Sequence, residues 1–429
     1  MKFNNQTGEQ SHPWRDSRIL DVHKASDYKE INDAVETVYQ AFAQAHPSLD
    51  RKSRKTYRAT LKALILDLYV GFLEGVYIAY SRNNNEFKNE RLKKLHISGR
   101  CVVKIIDFLV QAGYAETHIG FQNRTTKFSR RSRVTMTHTL LELINLPQLP
   151  IPIISSTQDL IILKNSEKKV IDFRETQQTR LMRENICKIN DFLATNEISL
   201  ELTKQELAQL AKRLRRRNTA RLILVGTGFR RVFNNSSFSQ GGRFYGHWSQ
   251  SIPREYRKKI RINHEETSEL DFSGLHIRML YHIAKTIPPE GDMYKIDGID
   301  STDRSLSKKI LQAMINAPSR GKALMGARES ARNEGKWHPL SHIKEIADKL
   351  AIHHSEIAKY FGTGYGVHLQ HLDSQIAERV MLTLADKGIP ALTIHDSFIV
   401  PCSHKDALEA AMIDSYTSLF GHPPAIDTK

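Results

Sequence analysis

The sequence predicts an α+β protein in which short strands present carboxylates at their tips, and three patterns predict it. Apolar residues recur at helical spacing through the first hundred residues. A hairpin-like alternation with a basic tip follows a helix that ends near residue 112. In the last two hundred residues, apolar runs too short for helices end on Asp271 and Asp396.

Residues 1–25 are polar and without periodicity and read as a flexible arm. Over 28–45 the residues Ile31, Ala34, Val35, Val38 and Phe42 share one helical face, and a second helical stretch covers about 54–73. Val102, Val103, Ile106, Phe108 and Leu109 predict a helix stopping at Gly113. An extended 114–121, a polar tip, an alternating 134–136 and a helix over 139–146 follow. Helix, hairpin, helix is the pattern of a winged helix-turn-helix, so 26–150 is expected to be a mainly helical, winged-helix-like module that binds nucleic acid. The tip holds Arg124, Lys127, Arg130, Arg131 and Arg133, and the last three are expected on phosphates. The plainer reading is a solvated hairpin.

Pro147, Pro150 and Pro152 disfavour regular structure and mark a boundary near 150. Residues 151–235 are expected to form a helical connector. Its second helix closes on Lys212, Arg213, Arg215, Arg216 and Arg217, a solvated face or a grip on duplex.

A chain of 429 residues has room for two or three domains, and 40% hydrophobic content excludes a disordered polymer. The excess of 63 Lys and Arg over 47 Asp and Glu, +16, calls for a polyanionic partner. Nucleic acid comes first and an anionic membrane surface second. The best membrane candidate, 61–78, is interrupted by Lys62, Asp67 and Glu74, and no apolar run reaches the roughly 18 residues a span needs. The N-terminus, with Asn4, Asn5, Gln6 and Glu9, lacks the form of a secretory signal, so a cytoplasmic protein is expected. Cys101, Cys187 and Cys402 are too few for a disulfide framework and too far apart for a zinc cluster, so no structural zinc is expected.

The chemistry concentrates after residue 265. Asp271 closes the run 267–271 and opens a segment whose apolar residues shift to helical spacing, so a strand should deliver its carboxylate at its end. Asp396 stands between the apolar strands 391–394 and 398–400, so His395, Asp396 and Ser397 should form a hairpin turn. Taken singly, either aspartate is more plainly a turn or cap residue. Two carboxylates on adjacent strands, however, suit two magnesium ions, or manganese in their place, which prefer oxygen ligands and leave positions for phosphates. Between them Arg304 and Lys308 lie four apart on the helical stretch 303–314, with Lys309 beside them. Paired cations on one helical face match the charge that builds on a departing pyrophosphate.

The segment Leu270-Asp-Phe-Ser-Gly-Leu-His-Ile-Arg-Met-Leu-Tyr-His282 resembles motif A of family-A DNA polymerases, the DNA polymerase I type. Ile394-His-Asp-Ser-Phe398 resembles motif C, its Ser-Phe ending being closer to single-subunit phage-type RNA polymerases, and the helix with Arg304 and Lys308 resembles motif B. Gly242-Arg-Phe-Tyr-Gly246 and Gln250-Ser-Ile-Pro253 are similar to upstream segments of the same superfamily. The resemblance covers about 230–405 and leaves out the first 150 residues.

It implies a right-hand palm with short fingers over 236–429, a thumb-like connector, and template-directed addition of nucleoside monophosphates to a 3′ hydroxyl with release of pyrophosphate. By the same resemblance, Asp271, the Phe272 carbonyl and Asp396 bind Mg²⁺, and Arg304 and Lys308 face the triphosphate. Arg243 and His395 meet the primer end or template, Gln370 or His371 touches template or nucleotide, and Tyr294 and Trp248 line the cleft. The expected partners are nucleic acid and nucleoside triphosphates.

Three departures bear on selectivity. Eight residues after Lys308, where the families carry Tyr-Gly, stand Asn316 and Ala317, and the aromatic expected midway is Gln312. The steric-gate position, five after Asp271, is His276, large enough to exclude a 2′ hydroxyl and equally able to donate to one. The interval of 396 − 271 = 125 positions implies reduced fingers, and no proofreading motif precedes it. Sugar, template, priming mode and oligomeric state stay open at this level. So do an RNA polymerase or primase, a two-metal nuclease that recruits Glu269, and a DNA-binding regulator with an inactive palm. Replication or priming of a mobile element, or defence against one, is the context such an architecture suits.

Overall fold

A computed structural model describes residues 17–26, 29–83, 97–122, 125, 129–144, 155–156, 160–214, 226–296 and 298–429. The expected arm over 1–16, the three prolines, and Arg124, Lys127, Arg215, Arg216 and Arg217 lie outside them. Helices and sheets mix along the chain, an α+β arrangement, in two compact units: 1–159 with 202–228, and 160–201 with 229–429. No helix among the described residues is long and apolar enough to cross a membrane.

The first unit is built on the helices α1 (Lys29–Ala45), α2 (Arg51–Glu74) and α3 (Gly99–Gln111). Asp50 caps α2 by accepting from the Ser53 amide at 2.7 Å, and Gly75, with φ 69°, closes it in the left-handed conformation that glycine adopts without strain. Their apolar faces, Val38, Phe42, Leu61, Leu64, Ile105 and Leu109 among them, meet in one core, each such side chain contributing about 2 kcal/mol by leaving water. The sheet runs β1 (Ser17–Ile19), β2 (Tyr77–Tyr80), β4 (Ser132–Met136), β3 (Ala115–His118), and α4 (His138–Ile144) follows β4.

Residues 17–25 are not the arm that polarity predicts: β1 pairs in parallel with β2, Ser17 opposite Tyr77. The physical reason is Asp67, an aspartate of α2 with no exposure. A buried carboxylate needs partners, and Arg18 at 2.6 Å and Lys24 at 2.7 Å supply them, docking the segment.

The basic hairpin is corrected as well. Arg133 lies within β4, opposite Ala79 and His118, is 5% exposed and sets its guanidinium 5.3 Å from the centre of the Tyr77 ring. It is part of the sheet's packing, whereas Arg131 is exposed and Arg130 half-buried.

The second unit holds two sheets. One runs β6 (Val170–Ile171), β5 (Ile161–Lys164), β8 (Arg230–Asn234), β9 (Ser237–Tyr245). The other runs β7 (Ile198–Leu200), β10 (Ile260–Ile262), β11 (Glu265–Phe272), β13 (Ser397–Pro401), β12 (Leu392–Ile394), with β14 (Ile426–Thr428) also on β11. Residues 160–201 and 229–235 therefore do not form a separate connector, because β5 pairs in parallel with β8, Leu163 opposite Phe233, and α5 (Gln177–Ala194) packs on the same body.

α6 (Leu275–Ile283) follows β11 directly. α7 (Arg304–Asn316), α8 (Arg320–Asn333) and α9 (Leu340–His353) pack on one another. α10 (Gly366–Asp386) lies against β9, α5 and α11 (Lys405–Phe420).

Arg231 pins β8 and β9 to α10. Its fully buried guanidinium donates at 2.8 Å each to the Gly242 carbonyl, Ser374 and Glu378, between the rings of Phe233 and Phe244. Burial pulls its pKa down, and Glu378 opposes that.

Candidate active site

β11 and β13 run antiparallel with Asp271 opposite Ser397, so Asp396, the next residue into the turn, stands beside the end of β11. The Phe272 amide donates to the Asp396 carbonyl at 3.1 Å, fixing one strand tip to the other. The ladder resumes at Ile394 and Ser397, leaving a two-residue turn in which His395 takes φ 61°. A side-chain-bearing residue is strained there by about 1 kcal/mol, and the flanking strand pairing holds it.

A cavity of about 370 Å³ opens over these tips. Asp271, Phe272, Asp396 and His395 form its floor, and α7 contributes Arg304, Lys308, Gln312 and Asn316. Arg243, His276, Gln370 and Tyr294 also line it, as does a third acid, Asp427 of β14. A larger cavity of about 480 Å³ beside α10 and α11 is lined by Glu378 and Asp386, which are already paired with Arg231 and Lys188, so it offers no comparable acid pair.

Asp271 is the most perturbed acid of the site. Burial, and then the neighbouring Asp396 charge, push its carboxyl up to about 6, while Lys429 pulls the other way. Its Oδ1 is buried with no hydrogen-bond partner, and its Oδ2 takes the Lys429 ammonium at 2.7 Å. A buried, unpartnered carboxylate oxygen beside a second carboxylate is the environment a hard divalent cation relieves, so the residues fit such an ion.

The sign of the linkage follows from the raised pKa. Between the ordinary 3.8 and about 6 the folded chain binds a proton that the unfolded chain does not, so stability is lost as pH rises through that window and stays lost above it. Asp271→Asn is therefore expected to raise the unfolding midpoint in EDTA at pH 7.5, by on the order of 2 kcal/mol of stability, and to have little effect near pH 4. Calorimetry at the two pH values decides it, and a destabilised variant at pH 7.5 would contradict the assignment.

Arg304 and Lys308 share a face of α7 and flank one ring: their charges lie 5.7 and 5.4 Å from the centre of Tyr294. Arg304 also pairs with Asp292. The Tyr294 hydroxyl is pushed up to about 12 by burial and then by Asp292 and Asp396, so it stays a neutral donor. Lys309 turns to Glu334 at 3.0 Å. Trp248, 2% exposed, is core.

Asp373, which no local pattern marked, organises the opposite wall. It is 3% exposed, pairs with Arg243 (Nε to Oδ2, 2.8 Å) and lies 2.8 Å from His276 Nε2, which is itself 3.2 Å from Arg243. Arg243 reaches it because Gly241 and Gly242, at φ 74° and 86°, break the register of β9 against β8. A Cβ on Gly242 would stand 2.6 Å from the Phe233 ring, so only glycine fits.

Of Gln370 and His371, Gln370 is the one that lines the cavity. His371 is 6% exposed beside Phe233, and burial, then Arg231, lower its pKa to about 4. One step along the helix, about 100°, turns His371 toward Phe233 of β8 while Gln370 faces the cavity. Glu269 is also removed from the acid pair. It accepts from Arg257 at 2.9 Å and Ser397 at 2.7 Å and borders a different cavity.

No family model matches the chain, and no curated protein matches it. Among solved structures, the POL domain of Pol1 from M. smegmatis in complex with DNA primer-template and dNTP aligns with 93% of this chain at a TM-score of 0.33 and 11% identity. The chain covers 65% of that structure's length. At that score the likeness carries no weight for the chemistry, which rests on the residues themselves.

Proposed function

We propose that the chain is a metal-dependent nucleotidyltransferase that extends a nucleic-acid strand, most naturally on a DNA template. One observation supports this reading above the others: a single cavity joins two strand-tip carboxylates, one with an orphaned buried oxygen, to a helix face with two cations. In this reading 236–429 acts as a palm with short fingers.

Asp271, the Phe272 carbonyl and Asp396 would hold two Mg²⁺ ions, which when bound activate a 3′ hydroxyl and screen the triphosphate. Arg304 and Lys308 bind that triphosphate from the opposite side and take up the charge that develops on the leaving pyrophosphate. The Tyr294 ring keeps the two cations apart and aimed at the cavity. His276, immobilised on Asp373, meets the sugar, Gln370 the nucleotide or template, and Arg243 and His395 the primer end.

Extension of a labelled primer on a template, with and without nucleoside triphosphates, tests the reading. Shortening of the primer instead would favour a nuclease, although hydrolysis has no need of the α7 cations. Parallel reactions with ribo- and deoxynucleotides, and with unprimed template, separate a DNA polymerase from an RNA polymerase or primase.

The first unit supplies the grip on nucleic acid in this proposal. The charge-removing substitutions Arg130→Gln and Arg131→Gln are expected to flatten the salt dependence of binding by about 0.7 to 0.9 in log-log slope for each phosphate left without its arginine. Arg133→Gln instead lowers the stability of the unit, because its side chain is packed on Tyr77. Fluorescence anisotropy across a salt series measures the slope, and an unchanged slope removes the hairpin from the interface.

A further inference from the structure

We propose that Asp303, His338 and His342 form a binding site for a transition-metal cation of the zinc type, distinct from the carboxylate pair. One ligand atom from each of the three lies within 4.8 Å of the other two, and all three residues are half-buried. Asp303 Oδ2 is 2.8 Å from His342 Nε2, and the His338 and His342 rings lie nearly parallel, 24° apart with centroids 5.9 Å from each other.

Local structure explains the convergence. Pro339, at the N-cap of α9, turns the chain from His338 into the first helical turn, which brings two histidines four residues apart to one carboxylate. Asp303 stands at the N-cap of α7 but caps nothing with its side chain, leaving its carboxylate for another partner. A void of about 30 Å³ borders Asp303 and His338, though not His342, and has room for about one water beside those two ligands.

The chemistry selects the class of ion. Two imidazoles and one carboxylate suit zinc and its neighbours, whereas magnesium prefers oxygen. The positive ends of α7 and α9 oppose a cation held by charge alone, and the Asp303 carboxylate offsets them. Of the lysines at the void, Lys309 is neutralised by Glu334 and Lys336 remains as opposing charge. Asp303 directly precedes Arg304, so a bound ion would tie the first turn of α7, with its cavity-facing cations, to the first turn of α9.

The test uses the full chain, stripped of metal and carrying Asp271→Asn and Asp396→Asn so that the carboxylate pair binds nothing. Zinc is titrated against a chromophoric chelator, and Co²⁺ is added for its visible d–d bands. The expected result is one equivalent of zinc, a rise in the unfolding midpoint on binding, and tetrahedral Co²⁺ bands. His338→Ala and His342→Ala should each lose more than about a hundredfold in zinc affinity, beyond what an outer partner costs, together with the bands. Circular dichroism verifies folding, and His338→Gln serves as the milder variant if either alanine protein unfolds. Zinc affinity unchanged in these variants, or no stoichiometric binding by the parent chain, overturns the proposal.

Discussion

Asp396→Asn lowers nucleotide incorporation by at least about a thousandfold, and Asp271→Asn does the same, while affinity for primed template stays nearly intact. The reason lies in where each carboxylate acts. Both stand on the cavity floor, where they would stabilise charge that exists only as the phosphoryl bond rearranges. Neither is on the basic hairpin or the helix face expected to hold the polyanion. Removing one preorganised electrostatic group typically costs a factor of about a hundred to a thousand, and a metal ligand at least that much.

The two variants should part company in stability. Asp271→Asn relieves a buried, raised carboxyl, so its loss of turnover comes without loss of fold. Single-turnover extension combined with anisotropy on the same preparations measures both quantities. Turnover within tenfold of the parent in either variant would sink the site.

His276→Gly raises the use of ribonucleotides relative to deoxynucleotides by about five- to thirtyfold, on the order of 1–2 kcal/mol of discrimination. The structure narrows what His276 does. Its Nε2 is held between Asp373 at 2.8 Å and Arg243 at 3.2 Å, so that edge of the ring is already engaged and the ring is fixed in place. Bulk at a fixed position then dominates, which favours exclusion of the 2′ hydroxyl over donation to it.

The opposite wall adds little. Asn316, where the resembled families carry tyrosine, turns its amide back to the Gln312 carbonyl at 2.7 Å, and its side chain packs on Gly366, where a Cβ would come within 2.1 Å of it. The ratio of the two kcat/KM values in parent and variant is the measurement. A fall in relative ribonucleotide use would mean that the ring binds the hydroxyl, and an unchanged ratio that another residue sets the sugar.

What the sequence determined by itself is local. Helical spacing marked the helices of the first unit to within a few residues, because one apolar face must be buried whatever covers it. Short apolar runs ending in acid marked the tips at Asp271 and Asp396, and a four-residue interval put Arg304 and Lys308 on one helix face.

Only the tertiary structure decided which neighbours these groups meet. Asp373 joins Arg243 from 130 positions away and His276 from 97, Lys429 reaches Asp271 from the end of the strand paired beside it, and Asp303 meets His342 across 39 residues. Polarity alone made 17–25 an arm and Arg133 a phosphate ligand. The buried charge of Asp67 and the ring of Tyr77 reversed both. The physical reason is common to all of them. Periodicity reports which side of an element faces inward, whereas the cost of burying a charge is settled by the partners that folding brings within about 3 Å, and no local pattern records those partners.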